Sequence, residues 1–356
     1  MTVIKVRDLT ALYEGIAQKL GAPAEEAAIF ARCMVRADLR GMFTQGAAMI
    51  PYSVMLIEER IANFGVPFNI LKDESGMALV DGGHGVGAVV ATRAMDLAIE
   101  KAHRAGVGCV WVRNGGDFMM TANHALQAME QNMVGLVMRN ENPRVAPWGG
   151  MEPFFFTNPI AVAFPAGEEA PIVIDMAGAS FSVGMTVMAA RDNKRMPSPH
   201  LVTKDGVYTD DPRQIVVDTA DRESSFEGGI VTLGHKGLMW AIIVELFSAL
   251  LAGTNTSNLN NFVPTGDHPW DEGQFHMAID ISKLQPLEQF KAATDGFIRA
   301  LRSVKPAQGF ERVMIPGEVE AANEQQRLKE GIPIRDEVWQ LVLETAGKLG
   351  VSFKEQ

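Results

Sequence analysis

The chain reads as an α/β protein with helices at both ends and strands through its middle, and three observations predict this. Apolar residues recur at helical spacing up to about residue 61. From Met77 onward, short apolar runs alternate with amphipathic stretches. From about Leu287 the helical period returns.

Asp8 is placed to cap a first helix whose apolar positions Leu9, Leu12, Ile16 and Leu20 share a face, and Gly21 ends it. Pro23 suits the first turn of a second helix running to about Leu39, and a third is expected over 47–61. In the middle, 77–80 is a strand, 85–104 a helix closed by Gly106, 107–112 a buried strand, 121–130 a helix and 133–138 a strand. A Pro- and Gly-rich loop over 140–158 precedes short strands at 160–164 and 172–174. Residues 191–229 are polar and turn-rich, 237–251 is a strongly apolar helix, and 253–274 is a surface loop. The helical tail is broken between Pro306 and Pro316. Packing the two ends together gives a helical domain of 1–75 with 280–356, leaving 76–279 as a β-rich domain.

The composition narrows the function. The 356 residues are 47% hydrophobic and 21% charged, with a net charge of -11, which argues against nucleic acid or an anionic membrane surface as a partner. Cys33 and Cys109 have no metal-ligand or CxxC spacing and suit a reducing cytoplasm. No run is long and apolar enough to span a membrane. His84, His103, His124, His200, His268 and His276 are scattered without HxH or HxxxH spacing, so no metal site is expected.

Three segments can carry chemistry. Gly83-His84-Gly85-Val86-Gly87-Ala88 fits the dinucleotide fingerprint between a strand and a helix, but such Gly-rich turns are common, and no acidic residue ends a second strand at the required distance. Asp175-Met176-Ala177-Gly178-Ala179-Ser180-Phe181-Ser182 follows an apolar strand and offers backbone amides and hydroxyls to a phosphate; a plain capped turn is the alternative. His235-Lys236-Gly237 opens the apolar helix. A lysine there opposes the helix dipole unless an anion binds beside it; a solvated lysine is the alternative.

Together these segments resemble the type-2 malate/L-lactate dehydrogenase family of NAD(P)-dependent 2-oxo-acid and imine reductases. The resemblance spans nearly the whole chain. It is carried by Ala37-Asp38-Leu39-Arg40-Gly41, Thr157-Asn158-Pro159-Ile160, Asp175-Met176-Ala177, His235-Lys236-Gly237 and Arg312-Val313-Met314-Ile315-Pro316-Gly317-Glu318. Ala146-Pro147-Trp148-Gly149 and Ser180-Phe181-Ser182 look closest to its diketogulonate reductase branch. The resemblance implies a non-Rossmann fold: a helical domain from both chain ends and a nucleotide-binding domain with a largely antiparallel sheet. It implies a homodimer and an NAD or NADP cofactor. Contacts to that cofactor would come from Met176 to Ser182, with Asp175 at the head of the same segment, from His235 and Lys236, and from Gly317, Glu318 and Val319. Thr157 and Asn158 would lie near the nicotinamide, and the Gly83 turn would be scaffold.

The departures are chemical. Where the family has Ser-His-Gly and then an arginine four residues after the histidine, this chain has Thr44-Gln45-Gly46 and Met49. Where the family has an Asn-His-Phe-type motif, this chain has Asp117 before Phe118. A glutamine amide donates hydrogen bonds but does not titrate, and a thioether cannot grip a carboxylate. The expected activity is therefore hydride transfer to or from a small neutral or cationic alcohol, ketone or imine rather than a simple 2-oxo acid. Thr44 and Gln45 would position the reacting atom, and Asp117, with His124 as a further candidate, would handle the proton. The alternatives are a lyase or hydrolase that keeps the nucleotide as a helper, and a nucleotide-binding protein without catalysis.

Overall fold

In the computed structural model, which describes residues 1–217, 226–260, 265–267, 269 and 271–354, strand β1 (Thr2–Ile4) feeds directly into helix α1 (Val6–Lys19). His268 and parts of the 191–229 and 253–274 stretches lie outside the described residues. Lys5, not Asp8, holds the cap position, and Asp8 becomes a buried first-turn carboxylate beside Arg7. Helix α2 (Ala24–Arg40) starts after Pro23 and stops at Gly41, whose φ of 86° is the left-handed conformation that ends helices. The helix expected over 47–61 is shorter and split: a 3-10 turn (Ala47–Met49) leads into α3 (Ile50–Glu58), with Pro51 confined to its first turn. Strand β2 (Asn69–Asp73) has every residue exposed and so leaves no apolar pattern to read.

The alternating middle follows closely: β3 (Met77–Asp81), α4 (Gly87–Ala105), β4 (Val107–Arg113), α5 (Ala122–Glu130) and β5 (Met133–Arg139). Next come β6 (Val145–Ala146), β7 (Pro159–Phe164), β8 (Ile172–Ala177) and α6 (Val183–Arg191). The polar stretch contains β9 (Leu201–Thr203), β10 (Tyr208–Thr209) and β11 (Gly228–Val231). Helix α7 (Gly234–Val244) continues as a π-helical turn (Glu245–Leu250). The chain ends with β12 (Gln274–Asp280), α8 (Leu287–Arg302), α9 (Glu318–Glu330), β13 (Ile332–Ile334) and α10 (Asp336–Lys348).

The main sheet has seven strands in the order β2-β3-β4-β12-β5-β7-β8 and is antiparallel except where β3 meets β4. Strand β12, the largest difference from the sequence reading, sits at its centre, antiparallel to both β4 and β5. Gln274 and His276 hide it by putting polar residues at fully buried positions. A smaller sheet runs β10-β9-β11-β6. Strand β1 pairs with β13, joining the two ends of the chain, and one apolar core contains Leu9, Tyr13, Phe30 and Met34 from the N-terminal helices with Trp339 and Val342 from α10. Strand β2 nevertheless belongs to the main sheet, and α8 is tied to the segment after β7 through Asp295, which accepts from the amides of Gly167 and Glu168.

Helices α4 and α5 press onto the sheet through glycines. A Cβ at Gly108 would stand 1.9 Å from the Ala98 carbonyl oxygen, and one at Gly135 would stand 2.3 Å from that of Ala125. Nearby, α5 and β12 bring His124 and His276 together at a ring separation of 6.0 Å, both fully buried. Burial pushes the His124 ring down to about 3, with Arg36 and Arg32 adding repulsion, and burial likewise holds His276 well below the usual histidine range. Both rings are thus neutral at pH 7.

A depressed histidine contributes stability above the ordinary value near 6.5 and loses it as pH falls toward the folded-state value. Replacing His124→Gln removes that contribution. Between pH 6 and pH 4 the wild type is expected to lose stability more steeply than the variant, by about 1 kcal/mol per pH unit. Urea titrations at several pH values check this, and parallel curves would refute it.

Candidate active site

The segment between α2 and the 3-10 turn, the turn after β4 and the ends of β5 and β8 converge on a cavity of about 640 Å3. Thr44 and Gln45 form one wall, Asp117, Met119, Met120 and Thr121 another, and Arg139, Phe156 and Thr157 a third. Asp175, Met176, Ala177, Ala179 and the run Ser180-Phe181-Ser182 face it as well, and Asp192 and the exposed Lys194, just after α6, also line it.

The Thr44–Gln45 wall is shaped by close packing. The Gln45 N–H donates to the Met42 carbonyl at 2.8 Å. A Cβ on Gly184 of α6 would stand 3.0 Å from the Thr44 Cβ, so the helix lies directly against the threonine. Met49 is fully buried in the core made by the chain ends and is absent from the cavity wall. The position that carries arginine in the family pattern is here part of the packing.

Asp117 is 9% exposed. Its Oδ1 accepts the Met119 N–H at 2.8 Å and the Arg139 guanidinium at 2.9 Å. The turn that carries it is locked by the Gly-rich segment before α4: a Cβ on Gly87 would stand 2.1 Å from the Asp117 carbonyl oxygen. Residues 83–88 are absent from the cavity wall, so in this structure the fingerprint-like glycines pack against the turn rather than line the cavity.

Arg139 has no counterpart in the sequence reading. It closes the apolar strand β5, 4% exposed, with its guanidinium 5.1 Å from the Phe118 ring and 5.0 Å from the Phe156 ring. Its other carboxylate partners are Glu141 at 2.5 Å and Glu272 at 3.5 Å, both buried. Burial works against its charge, but Asp117, Glu141 and Glu272 outweigh it and hold the guanidinium firmly protonated. The available signal was a charged residue ending a hydrophobic strand.

The expected cofactor residues divide into groups. Thr157, Asp175, Met176, Ala177, Ala179, Ser180, Phe181 and Ser182 face the cavity. Asp175 accepts the Ala122 N–H at 2.9 Å; burial raises its carboxyl to about 6, opposed by that bond and by Arg40. Ser182 caps α6, accepting the Met185 N–H at 3.1 Å, and no acidic residue occupies the first turn of that helix, whose positive dipole end lies beside the cavity. Behind the wall, Asn158 is fully buried and donates to Ala241 and Glu245, and Gly178 packs against α7, where a Cβ on Gly237 would stand 2.4 Å from the Gly178 carbonyl oxygen. His235 and Lys236 are exposed at the start of α7, beside Gly178 but outside the cavity wall. Gly317, Glu318 and Val319 begin α9; Gly317 abuts Val173 of β8, and Glu318 pairs with Arg302 and Arg312, so this group too stands apart from the cavity. His124 is in the core, not on the wall.

Among the described residues, no three His, Cys, Asp or Glu side chains are arranged to hold a metal ion, and no helix is long and apolar enough to cross a membrane.

Residues 4–342 match the family model described as malate/L-lactate dehydrogenase. The L-sulfolactate dehydrogenase of Methanocaldococcus jannaschii is 32% identical over 99% of both chains, and its solved structure superposes with a TM-score of 0.87, covering 99% of this chain and 98% of that one. The malate dehydrogenase of Pyrococcus horikoshii is 34% identical over 94% of this chain and 91% of its own, and its structure, covering 99% and 97%, gives a TM-score of 0.88. The ureidoglycolate dehydrogenase (NAD(+)) of Escherichia coli K12 is 27% identical over 94% of each chain. These relatives correct the expected diketogulonate reductase branch, since the substrates in their names are sulfolactate, malate and ureidoglycolate. The motifs spread along the chain, the matched fold and the cavity at the end of β5 agree: this chain belongs to the malate/L-lactate dehydrogenase family of NAD(P)-linked oxidoreductases.

Proposed function

We propose that the protein transfers a hydride between NAD or NADP and a small neutral or cationic alcohol, ketone or imine, and that simple 2-oxo and 2-hydroxy carboxylates are poor substrates. The observation that carries this reading is electrostatic. Arg139, the buried cation of the cavity wall, is already matched by Asp117, Glu141 and Glu272. A carboxylate entering beside Asp117 meets like charge on that wall, and Arg139 is already engaged, so the loss of its hydration is poorly offset. Met49, sealed in the core, offers no second cation, and Lys194, the other cation lining the cavity, is exposed and paired with Asp192.

The residues present fit a nicotinamide nucleotide. The N-terminus of α6, the small residues Ala177 and Ala179 and the exposed Lys236 suit a pyrophosphate, and Thr157 with Met176 suits the ring end. When bound, the nucleotide accepts or supplies the hydride. On the protein side, the Gln45 amide and the Thr44 hydroxyl hydrogen-bond the reacting oxygen or nitrogen. In the oxidative direction Asp117 takes the proton that leaves the substrate, and in reduction it returns it.

The same reading divides the chain into a helical unit, 1–75 with 280–356, and a nucleotide-binding unit, 76–279, with β2 crossing that boundary to edge the main sheet. It includes assembly of two copies, for which the exposed Met239, Trp240, Ile243 and Leu250 on α7 and its π-helical extension offer an apolar face. A second reading, an anionic 2-hydroxy acid seated on Arg139, draws support from the position of that arginine and from the names of the relatives.

Three measurements test the proposal. Malate, oxaloacetate and pyruvate are expected to turn over far below the usual range of roughly 1–10³ per second; turnover inside that range selects the second reading. Asp117→Asn is expected to lower turnover of a neutral or amine substrate by about 10²-fold or more. If Asp117 only holds the Met119 amide and the Arg139 guanidinium, the variant instead is destabilised, by the cap worth about 1 kcal/mol together with the lost ion pair, and stays active. Lys236→Ala is expected to weaken NADH or NADPH binding by about 1–3 kcal/mol in calorimetry. Tight nucleotide binding without any change in nicotinamide absorbance would favour a lyase, a hydrolase or a non-catalytic protein.

A further inference from the structure

Asp38 lies in the last turn of α2, outside the cavity wall, with 3% of its surface exposed. Its carboxylate points at the segment that carries Gln45. The Ala47 N–H donates to both oxygens, at 3.0 Å and 2.9 Å, and the Tyr13 hydroxyl of α1 donates to Oδ2 at 3.3 Å. The carboxylate lies so close beneath Gly46 that a Cβ there would stand 2.2 Å from Oδ1. From the other side α9 grips the same stretch. Arg327 donates to the Asp38 carbonyl oxygen at 2.5 Å, and its guanidinium sits 5.1 Å from the Phe43 ring. Asn323 donates to the Arg40 carbonyl at 3.4 Å, and Arg40 pairs with Glu324 at 2.7 Å.

We propose that Asp38 is a positioning residue: its buried carboxylate, seated under Gly46 and bonded to Ala47, fixes the Thr44-Gln45 backbone against the cavity. The inference rests on the reading of that turn as part of the reacting pocket. The charge is expensive to keep. Burial pushes the Asp38 carboxyl up to about 7, and the bonds from Ala47 and Tyr13 and the field of Arg327 only partly oppose this. The groups facing it are Tyr13 from α1, Arg327 from α9 and the Ala47 amide of the turn itself. A raised carboxyl contributes stability below its ordinary value of 3.8 and loses it as pH rises through about 7. At pH 8 the ionised group therefore weakens the fold while it strengthens the bond to the turn, because a charged acceptor holds an N–H more firmly than a neutral one. A residue kept only for packing gains nothing from that charge.

Hydrogen exchange by mass spectrometry on the full chain, without substrate or cofactor, tests this with Asp38→Asn and Tyr13→Phe. At pH 8, Asp38→Asn should lower protection in residues 43–49 by about tenfold, with a smaller loss in Tyr13→Phe. The melting temperature of Asp38→Asn at pH 8 should equal or exceed that of the wild type. In the wild type, protection of the turn should fall as pH drops through about 7, and Asp38→Asn should flatten that dependence. Unchanged protection in 43–49 overturns the proposal, as does a lower melting temperature with protection lost throughout the chain. Should Asp38→Asn not fold, Tyr13→Phe decides alone: local loss in 43–49 supports the assignment, and none overturns it. Absence of nucleotide binding or turnover would instead remove the oxidoreductase reading and leave the exchange result standing.

Discussion

A buried guanidinium organises this molecule. Arg139 ends β5 and is held by carboxylates from three separate places: Asp117 in the turn after β4, Glu141 just beyond β5 and Glu272 just before β12. Removing the guanidinium from such a cluster would leave buried carboxylates without their counter-charge, so the three segments hold their places through Arg139. The central position of β12 follows from the same cluster and from Gln274, which donates to the Gly116 carbonyl at 3.0 Å. Two members of this ion network, Asp117 and Arg139, face the cavity, and the network ties together the chain at the ends of β4, β5 and β12.

Seen this way, the altered residues of the active segment form a consistent set. Where the family pattern has a titratable histidine and a nearby arginine, this chain has an amide at Gln45 and a packed thioether at Met49. On the opposite wall stand Asp117 and Arg139, with Asp175, Asp192 and Lys194 also lining the cavity. On the helical side, Thr44 and Gln45 offer hydrogen-bonding groups but no titratable side chain.

What could be read in the sequence followed the physics of each element. Helices α1, α2, α4 and α5 and strands β3, β4, β5 and β7 announce themselves through apolar period and glycine or proline boundaries. Strand β2 did not, because no residue in it is buried, and β12 did not, because its buried face carries Gln274 and His276. In the site, Thr44, Gln45, Asp117, Thr157 and the 176–182 run were legible as departures from, or agreements with, a family pattern, and the structure gathers them around one cavity, with Gly178 alone of that run behind the wall. Arg139 and Asp38 were not legible as functional. Arg139 meets a partner remote in the chain, Glu272, and Asp38 is buried under Gly46 by a turn that no residue spacing announces.

The π-helical turn at the end of α7 carries a further implication. Its first residue, Glu245, accepts from Asn158, Asn140 and Ser257, at 3.0, 3.5 and 3.1 Å. Asn158 follows Thr157 on the proposed nucleotide side, in a left-handed conformation with φ of 47°, and Asn140 follows Arg139 on the substrate side. One side chain therefore anchors the backbone behind both halves of the cavity. Attempts to retarget the substrate half by mutagenesis will alter the nucleotide half through this anchor, so libraries that vary residues near 139 and 157 should be screened jointly, because effects at the two positions will not add.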